Sequence, residues 1–499
     1  MTFALPALDW WAIAPMLVLT LTGCATLVAD LLRADDADRE PLAWITVAGV
    51  ALAAGVAIAA WGETPRLAFS DMVYADPFTQ FFTVLFVAVT GVTVLFSFEQ
   101  LGREDFHPAE FYTVLAFSTV GMVLMAAAAD LVMVFLGVEL LSICLYIMTG
   151  FSRRRLESEE SAIKYLLLGA FASAFLLYGI ALVYGSTGTT NISCVGRALG
   201  VSGALTGACE GAVAAGAASK AMLLAGVGLL IVGLGFKAAL VPFHSWAPDV
   251  YEGAPTSITA YMSVGVKAAA FATMLRIFLV AFPTMAPNWA MVLAVVATLT
   301  MVTGNTVALL QKNIKRMLGY SSIAHAGYIL VAIVAANHLG ATSLLLYVVA
   351  YAVMNMGAFA VVVALGRAGD DRVLIADYAG LSRRQPLLAG LMAAFMLSLA
   401  GIPPTIGFVG KFYVFSAAVE AGFAWLALVG LVSSVASVYY YLRVVYQMYM
   451  VDGADDVAEY APQRWLSLVA VVTGVAVVVL GLFPGGVIAA ANASTAFVK

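Results

Sequence analysis

Apolar runs long enough to cross a membrane follow one another along almost the whole chain of 499 residues. The hydrocarbon core of a bilayer is about 30 Å thick, so an α-helix needs roughly 20 mostly apolar residues to cross it. Hydrophobic residues make up 63% of the chain and charged residues only 11%, whereas soluble domains carry about 25% charged residues. A soluble core cannot bury that much apolar surface, so the sequence predicts an all-α polytopic membrane protein.

Proline, glycine and charged clusters divide the apolar runs into about 14 predicted transmembrane helices. The predicted spans are 10–32, 41–61, 77–98, 111–128, 131–151, 161–185, 222–246, 256–282, 288–310, 321–336, 341–365, 387–415, 423–449 and 466–483. The net charge is −5, and no Lys/Arg-rich face with interleaved aromatic residues is present. Nucleic acid is therefore not an expected partner, whereas membrane lipid is.

Basic residues predict the orientation, because short loops rich in Lys and Arg stay in the cytoplasm. Loops after odd-numbered spans contain Arg33, Arg39, Arg103, Arg153, Arg154, Arg155, Lys312, Lys315, Arg316, Arg367, Arg372, Arg383 and Arg384. Loops after even-numbered spans contain little beyond Arg66, Arg197 and Lys220. The alternation predicts a multi-pass protein of a bacterial inner membrane with both termini in the periplasm.

Two of the four cysteines, Cys194 and Cys209, lie in the long predicted outer loop at 186–219. A disulfide between them is one interpretation if the loop faces an oxidising periplasm, and two unpaired thiols are the other. The cysteines form no CxxC pair and have no histidines at zinc spacing. No metal or iron–sulfur site is therefore predicted.

Two short glycine–lysine motifs indicate an internal repeat. The sequence GLGFK ends at Lys237, and GFVGK ends at Lys411 five spans later. An odd offset reverses the orientation in the membrane, which predicts two inverted five-helix repeats. Pro242 and the pair Pro403 and Pro404 lie beside the motifs, so both spans should be discontinuous helices. The predicted units are 1–110 with helices 1–3, 111–282 as the first antiporter-like repeat with helices 4–8, 288–450 as the second with helices 9–13, and 451–499 with helix 14.

Five ionisable residues lie inside or at the start of apolar runs, where a charge costs about 2.5–3.5 kcal/mol on insertion scales. They are Glu139, Lys164, Lys237, Lys267 and Lys411. Such residues usually face the protein interior or a water-filled path. Lys164 has a second interpretation, because a lysine one turn into a helix can extend its side chain to the membrane surface.

The chemistry of these groups predicts a proton relay. Glu139 needs a positive partner, and the turn at 153–155 returns Lys164 on the adjacent antiparallel span. Burial disfavours a charged ammonium and a nearby carboxylate favours it, so movement of Glu139 could switch the lysine between holding and releasing a proton. The other three lysines would extend the relay through ordered water. His325 is either a further relay group, since imidazole exchanges protons near neutral pH, or a hydrogen-bonded core histidine.

Four segments resemble the signatures of the antiporter-like membrane subunits of respiratory complex I (NADH:quinone oxidoreductase) and of the related Mrp-type antiporters. They are residues 235–256 (GFKAALVPFHSWAPDVYEGAPT), 137–142 (GVELLS), 313–328 (NIKRMLGYSSIAHAGY) and 401–408 (GIPPTIGF) followed by Lys411. Among these subunits the N-type, called subunit 2 in mitochondria, fits best. It has a lysine at the position of Lys411 and lacks a long lateral C-terminal helix.

The resemblance implies roles for the five charged residues. Glu139 and Lys164 match the coupling pair, Lys237 the central lysine, Lys267 the next relay position, and Lys411 the lysine nearest the outer exit. It also implies that this chain binds no cofactor, and that NADH, FMN, the iron–sulfur clusters and quinone belong to other subunits. The implied partners are other membrane-arm subunits, including homologous ones. The second half of the chain contains no buried carboxylate that matches Glu139.

Three other functions remain open on the sequence. A Na⁺/H⁺ antiporter subunit of the Mrp type would use the same residues without redox drive, and a membrane hydrogenase subunit is a further relative. A scaffold would use its charges only as inert ion pairs. Residue types do not separate the first two from complex I, and they do not separate H⁺ from Na⁺ as the coupling ion. The scaffold hypothesis predicts that neutralising Lys237 leaves pumping intact.

Overall fold

The computed structural model describes residues 8–33, 40–104, 107–153, 155–201, 209, 217–366, 372–453 and 464–498. The loop residues Arg39, Arg154 and Arg367 lie outside these ranges, as do residues 202–208 and 210–216 of the predicted outer loop.

Helices form most of the described chain, because a helix satisfies its own backbone hydrogen bonds and needs no water to do so. The α-helices are α1 (Ala14–Leu31), α2 (Glu40–Ala59), α3 (Pro77–Glu104), α4 (Pro108–Ala127), α5 (Leu131–Thr149), α6 (Leu156–Thr187), α7 (Ile192–Ala198), α8 (Ala217–Ala238), α9 (Trp246–Gly253), α10 (Thr256–Tyr261), α11 (Lys267–Arg276), α12 (Ala286–Ala308), α13 (Ile314–Val334), α14 (His338–Leu365), α15 (Leu381–Arg384), α16 (Pro386–Ala400), α17 (Ile406–Glu420), α18 (Ala424–Met450), α19 (Arg464–Leu482) and α20 (Gly485–Ser494). Short 3₁₀-helices occur at Trp10–Ile13, Ala60–Gly62, Pro283–Met285 and Ile375–Tyr378. The π-helix Met262–Val266 joins α10 to α11, and the π-helix Ile277–Ala281 follows α11. The segment Thr256–Ala281 is therefore one continuous span.

The span count agrees with the expectation from the sequence. Within the described residues, thirteen helices are long and apolar enough to cross a membrane. The predicted span 387–415 is the fourteenth, and it consists of the two half-helices α16 and α17. The predicted span 222–246 is also interrupted, because α8 ends at Ala238 and α9 begins only at Trp246. The predicted all-α architecture with two broken spans is confirmed.

Both breaks have a proline and a cis peptide bond. The first contains cis Val241–Pro242, and the second contains cis Pro403–Pro404. Proline lacks the backbone N–H that a helix requires and clashes with the preceding turn, so the α-helix cannot continue through either site.

Close helix pairs at two places rely on glycine. A Cβ atom on Gly121 of α4 would lie 2.7 Å from the backbone nitrogen of Leu141 on α5. A Cβ atom on Gly304 of α12 would lie 2.6 Å from the backbone nitrogen of Ala324 on α13. Small residues at such positions let membrane helices approach closely. The span Thr256–Ala281 and helices α13 and α14 are almost wholly buried, whereas α1, α2 and α19 expose much of their surface.

One end of the bundle, which we call the disulfide end, contains a small hairpin and α7. Strands β1 (Arg66–Ala68) and β2 (Val73–Ala75) pair antiparallel. Arg66 Nε donates to Asp9 Oδ2 at 2.7 Å, and this hydrogen bond holds the pKa of Asp9 below its usual value. Cys194 in α7 forms a disulfide with Cys209, with the Cα atoms 5.4 Å apart. Of the two interpretations of these cysteines, the structure contains the disulfide. The opposite end, where α6 and α13 begin beside α9, is called the basic-loop end.

Candidate functional site

Lys237 lies in the last turn of α8, next to the first break. Its side chain is 1% exposed, and among the described residues its Nζ has no hydrogen-bond partner. The Nζ lies 5.3 Å from the ring centroid of Tyr165, 5.4 Å from that of Tyr146 and 5.6 Å from that of Phe236. Cation–π attraction of this kind supplies about 0.5–2 kcal/mol. The amine is therefore held by ring faces, and its hydrogens stay available to water.

Glu139 on α5 and Lys164 on α6 do not pair with each other in this structure. Ser173 Oγ donates a hydrogen bond to Glu139, whereas Lys164 Nζ contacts Glu160 Oε1 at 2.6 Å. Ser173 and Lys164 are nine residues apart on one helix (173 − 164), which is about 13 Å along its axis. The two side chains are therefore not in contact here, because Glu139 packs opposite a different turn of α6, and their role as a coupling pair stays a prediction. Its carboxylate instead interacts electrostatically with Lys237.

Lys164 belongs to a charged network at the basic-loop end. Its Nζ lies 3.2 Å from Asp249 Oδ2 on α9, and its side chain is 43% exposed. Arg316 on α13 contacts Asp249 Oδ1 at 2.9 Å and Glu252 Oε2 at 2.6 Å. Helix α9 is thus bound by ion pairs to both α6 and α13. The exposure of Lys164 favours the interpretation in which its amine reaches the membrane surface, and its relay role stays a prediction.

Lys267 is the first residue of α11, directly after the π-helix Met262–Val266. Single π-helical turns inside longer helices occur frequently at functional sites. The side chain is 1% exposed, and Nζ donates to Ser322 Oγ on α13 at 2.5 Å. The Nζ also lies 5.8 Å from the ring centroid of Tyr251. The buried amine therefore connects the first half of the chain to α13.

His325 is 1% exposed, and both ring nitrogens have partners. Nδ1 lies 2.8 Å from the Tyr347 hydroxyl and Nε2 lies 3.1 Å from the Tyr441 hydroxyl. The Tyr441 hydroxyl also shares a hydrogen bond with Ser321 Oγ. His325 is thus a hydrogen-bonded core histidine, as one interpretation expected. The same contacts place it inside a network of hydroxyl groups, so its relay role remains a prediction.

Lys411 on α17 binds the end of the half-helix α16. Its Nζ donates to Leu399 O at 2.9 Å, Ala400 O at 2.8 Å and Ser434 Oγ at 2.7 Å. A positive charge is favourable at a helix C-terminus, where the last carbonyls have no helical partners. Gly401 follows with φ +87°, and a Cβ there would lie 2.8 Å from Lys411 Cδ. Glycine is therefore required both for the backbone and for the space that the lysine fills.

One face of α13 links the lysines. Ser322, His325 and Tyr328 are spaced three residues apart and share a side of the helix. Ser322 contacts Lys267, and the Tyr328 ring centroid lies 5.2 Å from Lys411 Nζ. Lys267 and His325 are each eleven residues from the start of their spans (267 − 256 and 325 − 314), or about 16 Å deep. The structure thus places Lys267, His325 and Lys411 along one face of α13, with the first two near the middle of their spans.

The sequence analysis missed a buried ion pair between Asp76 and Arg276. Arg276 is 2% exposed, and its guanidinium contacts both carboxylate oxygens of Asp76, at 2.8 and 3.1 Å. Asp76 also accepts a hydrogen bond from the backbone nitrogen of Thr79 at the start of α3. The available signal was an arginine inside the predicted span 256–282 and an aspartate directly before the predicted span 77–98, and neither was among the five candidates.

A second missed residue is Lys315, which the sequence analysis assigned to a loop. It is fully buried in the first turn of α13, and its Nζ donates to Ala254 O at 2.7 Å. Its burial could not be predicted from the sequence, because Lys315 lies beside the basic residues Lys312 and Arg316 and looks like one more residue of a charged loop.

Among the described residues, no three or more His, Cys, Asp or Glu side chains lie close enough together to hold a metal ion.

Comparisons with known proteins identify the family. A family model described as "NADH:quinone oxidoreductase/Mrp antiporter, TM" matches residues 128–437, more than half of the chain. A protein named NADH-quinone oxidoreductase subunit N from Trichlorobacter lovleyi is 46% identical over 472 residues, covering 95% of this chain and 94% of that protein. The chain belongs to the subunit N family of NADH-quinone oxidoreductase. A subunit N from Chloroflexus aggregans is 40% identical, with 98% and 97% coverage.

Solved structures agree with the family. A chain of respiratory complex I from Thermus thermophilus is 36% identical, with a TM-score of 0.78 over 95% of this chain and 98% of that chain. A chain of the Mrp complex from Dietzia sp. has a TM-score of 0.81 over 98% of both chains, but only 20% identity. The second comparison concerns the fold alone. The expected resemblance to the N-type subunit is confirmed.

Proposed function

We propose that this chain is a proton-translocating subunit in the membrane arm of NADH-quinone oxidoreductase, and that its buried charges carry the protons. The observation that supports this most directly is the face of α13, on which Ser322 accepts a hydrogen bond from Lys267, His325 lies between two tyrosine hydroxyls, and the Tyr328 ring packs beside Lys411. Buried ionisable residues are costly in a membrane protein and mark ion pathways by default. Inert structural charges would be expected to pair with each other, as Asp76 and Arg276 do.

The first half of the path begins at Glu139. The carboxylate acts on Lys237 rather than on Lys164, because it interacts electrostatically with the former and has no hydrogen bond or ion pair with the latter. When Glu139 approaches, the ammonium of Lys237 is favoured, and when it withdraws the proton is released. Lys267, His325 and Lys411 receive the proton in that order.

Other subunits supply the energy for pumping and are the partners with which this chain assembles. NADH oxidation on FMN, electron transfer through iron–sulfur clusters and quinone reduction take place there, and this chain binds none of these cofactors. Chains of Thermus thermophilus complex I at 36% and 19% identity share this fold, which supports homologous neighbours in the membrane.

The proposed orientation has the disulfide end in the periplasm and both termini on that side. The disulfide between Cys194 and Cys209 supports this, since disulfides persist in oxidising compartments. The basic residues beside α9 support it from the opposite end.

The proposed proton path lies within two proposed inverted repeats, residues 111–282 and 288–450. Each begins with a helix pair packed closely through a glycine, Gly121 in the first and Gly304 in the second. Each also contains a broken span with a cis proline and a buried lysine, Lys237 or Lys411. Residues 1–110 and 451–499 flank the repeats.

A cation/proton antiporter subunit is the second candidate, since the Mrp chain shares the fold. Its 20% identity is far below the 46% of the Trichlorobacter lovleyi subunit N, so complex I is favoured.

The test measures proton pumping per NADH oxidised by the purified complex in liposomes, with variants of Glu139. Glu139→Gln should lower pumping strongly, and Glu139→Asp should lower it less, because the charge is kept while the reach is shortened. Glu160→Gln is the matched control, since that carboxylate is exposed and contacts only Lys164 among the lysines. Normal pumping by an assembled Glu139→Gln complex would contradict the proposal.

A further inference from the structure

A row of aromatic rings that includes two residues of helix α9 extends from Lys237 to Lys267. Two aromatic residues of α9 face the two lysines. Trp246 stacks on Tyr165 at 4.5 Å between centroids, and Tyr165 lies beneath Lys237. Tyr251 packs edge-on against Trp246 at 5.9 Å and has Lys267 Nζ 5.8 Å from its centroid. The row Lys237, Tyr165, Trp246, Tyr251 and Lys267 is therefore continuous.

Three polar atoms along this row are buried without a hydrogen-bond partner in the part of the chain that the structure describes. They are the hydroxyls of Tyr165 and Tyr251 and Lys237 Nζ. Both tyrosines are fully buried. A buried hydroxyl without a partner is costly, and native proteins usually satisfy such groups with ordered water. Three unpaired polar atoms in one row indicate bound water between the two lysines.

Trp246 cannot carry the proton. Indole has one N–H donor and no acceptor, and that donor is bound to Phe236 O at 2.9 Å. A phenol hydroxyl is both donor and acceptor. The Tyr251 ring lies beside Lys267, with its centroid 5.8 Å from Nζ, and Lys267 donates to Ser322 Oγ. Tyr251 is therefore the last hydroxyl before the second lysine.

We propose that Tyr251 is a relay residue that passes protons, through ordered water on the Tyr165 side, from Lys237 to Lys267. The inference rests on the proposed function, because it concerns one step of that path. The phenol stays neutral throughout. Its oxygen accepts a proton from a water hydrogen-bonded toward Lys237, while its own hydroxyl proton passes by way of Ser322 to the neutral amine of Lys267. One proton leaves Lys237 and one arrives at Lys267.

The test compares Tyr→Phe variants, which remove one oxygen each and keep the ring. Tyr251→Phe should assemble normally and lower the proton-pumping rate of the purified complex by about tenfold. That loss corresponds to an increase of about 1.4 kcal/mol in the activation free energy of proton transfer. Tyr165→Phe should also lower the proton-pumping rate. Tyr261→Phe is the control, because its hydroxyl is also buried but bonds to Ser118 and Thr119, away from the lysines. It should pump at the normal rate.

A second measurement separates relay from packing. Tyr251→His keeps a proton-exchanging group, so it should regain part of the pumping that Tyr251→Phe loses. Thermal stability of all four variants should stay close to that of the wild type.

Two results would overturn the inference: normal pumping in Tyr251→Phe, or an equal loss in Tyr261→Phe. If Tyr251→Phe pumps normally while Glu139→Gln does not, the relay is wrong and the proposed function stands. If both pump normally, the proposed function fails as well.

Discussion

Replacing Lys237 by methionine should remove proton translocation without destabilising the protein. Methionine has nearly the same length and no hydrogen-bonding hydrogens. Because Lys237 Nζ has no hydrogen-bond partner among the residues that the structure describes, the substitution leaves none of their donors or acceptors unpaired. It removes a cation–π contribution of about 0.5–2 kcal/mol, and it also removes the larger cost of burying an ammonium. The net free energy of unfolding should stay the same or rise.

Lys411→Met is the comparison variant, and its expected loss of stability is the difference that the experiment should detect. That lysine donates to two carbonyls at the end of α16 and to Ser434. Ala400 O keeps Ser434 Oγ as a donor at 3.3 Å, so the substitution leaves one buried carbonyl, that of Leu399, without a partner, at a cost of about 1–3 kcal/mol. Both variants should stop pumping, but only Lys411→Met should be clearly destabilised.

The assay has two parts on the same preparations. Thermal unfolding of the purified complex reports stability, and proton uptake per NADH in liposomes reports function. Equal destabilisation of the two variants would refute the reasoning, since it would mean that Lys237 Nζ has hydrogen bonds like those of Lys411. Normal pumping in Lys237→Met would remove the residue from the path and favour the scaffold hypothesis.

Three further predictions follow from the site and the topology. Lys237→Arg should impair pumping, measured in the same liposomes, because a guanidinium keeps its proton. Arg276→Met should leave its carboxylate partner buried and unpaired, and a melting experiment should show a loss of about 3–5 kcal/mol. A reporter fused after Arg155 should behave as cytoplasmic and one inserted within 186–219 as periplasmic, and the reverse pattern would contradict the orientation.

The spans and their breaks could be predicted from the sequence because both depend on local chemistry. An apolar run of sufficient length has few alternatives to a transmembrane helix, and Pro242 or Pro403 cannot continue one. The burial of Lys237, Lys267 and Lys411 was predictable for the same reason, since each lies in such a run.

Contacts between spans could not be predicted in the same way. Adjacent antiparallel helices bring Glu139 near α6, but the sequence does not show which turn of α6 lies opposite. Ser173 occupies that turn, and Lys164 lies nine residues away. The tyrosines had no distinguishing signal either, because a buried tyrosine with a free hydroxyl and one with a satisfied hydroxyl look alike in a sequence.

The three hydrogen bonds that Lys411 donates cannot all persist when its ammonium loses a proton. A charged ammonium has three hydrogens, one for each of Leu399 O, Ala400 O and Ser434 Oγ. The neutral amine has two hydrogens and a lone pair, so it keeps its bonds to both carbonyls only if the Ser434 hydroxyl, which donates to Ala400 O at 3.3 Å, turns to donate to the amine nitrogen. A proton leaving Lys411 would therefore reverse one hydrogen bond between α17 and α18 while the end of α16 stays in place. The orientation of the Ser434 hydroxyl is thus the local feature that follows the charge of Lys411.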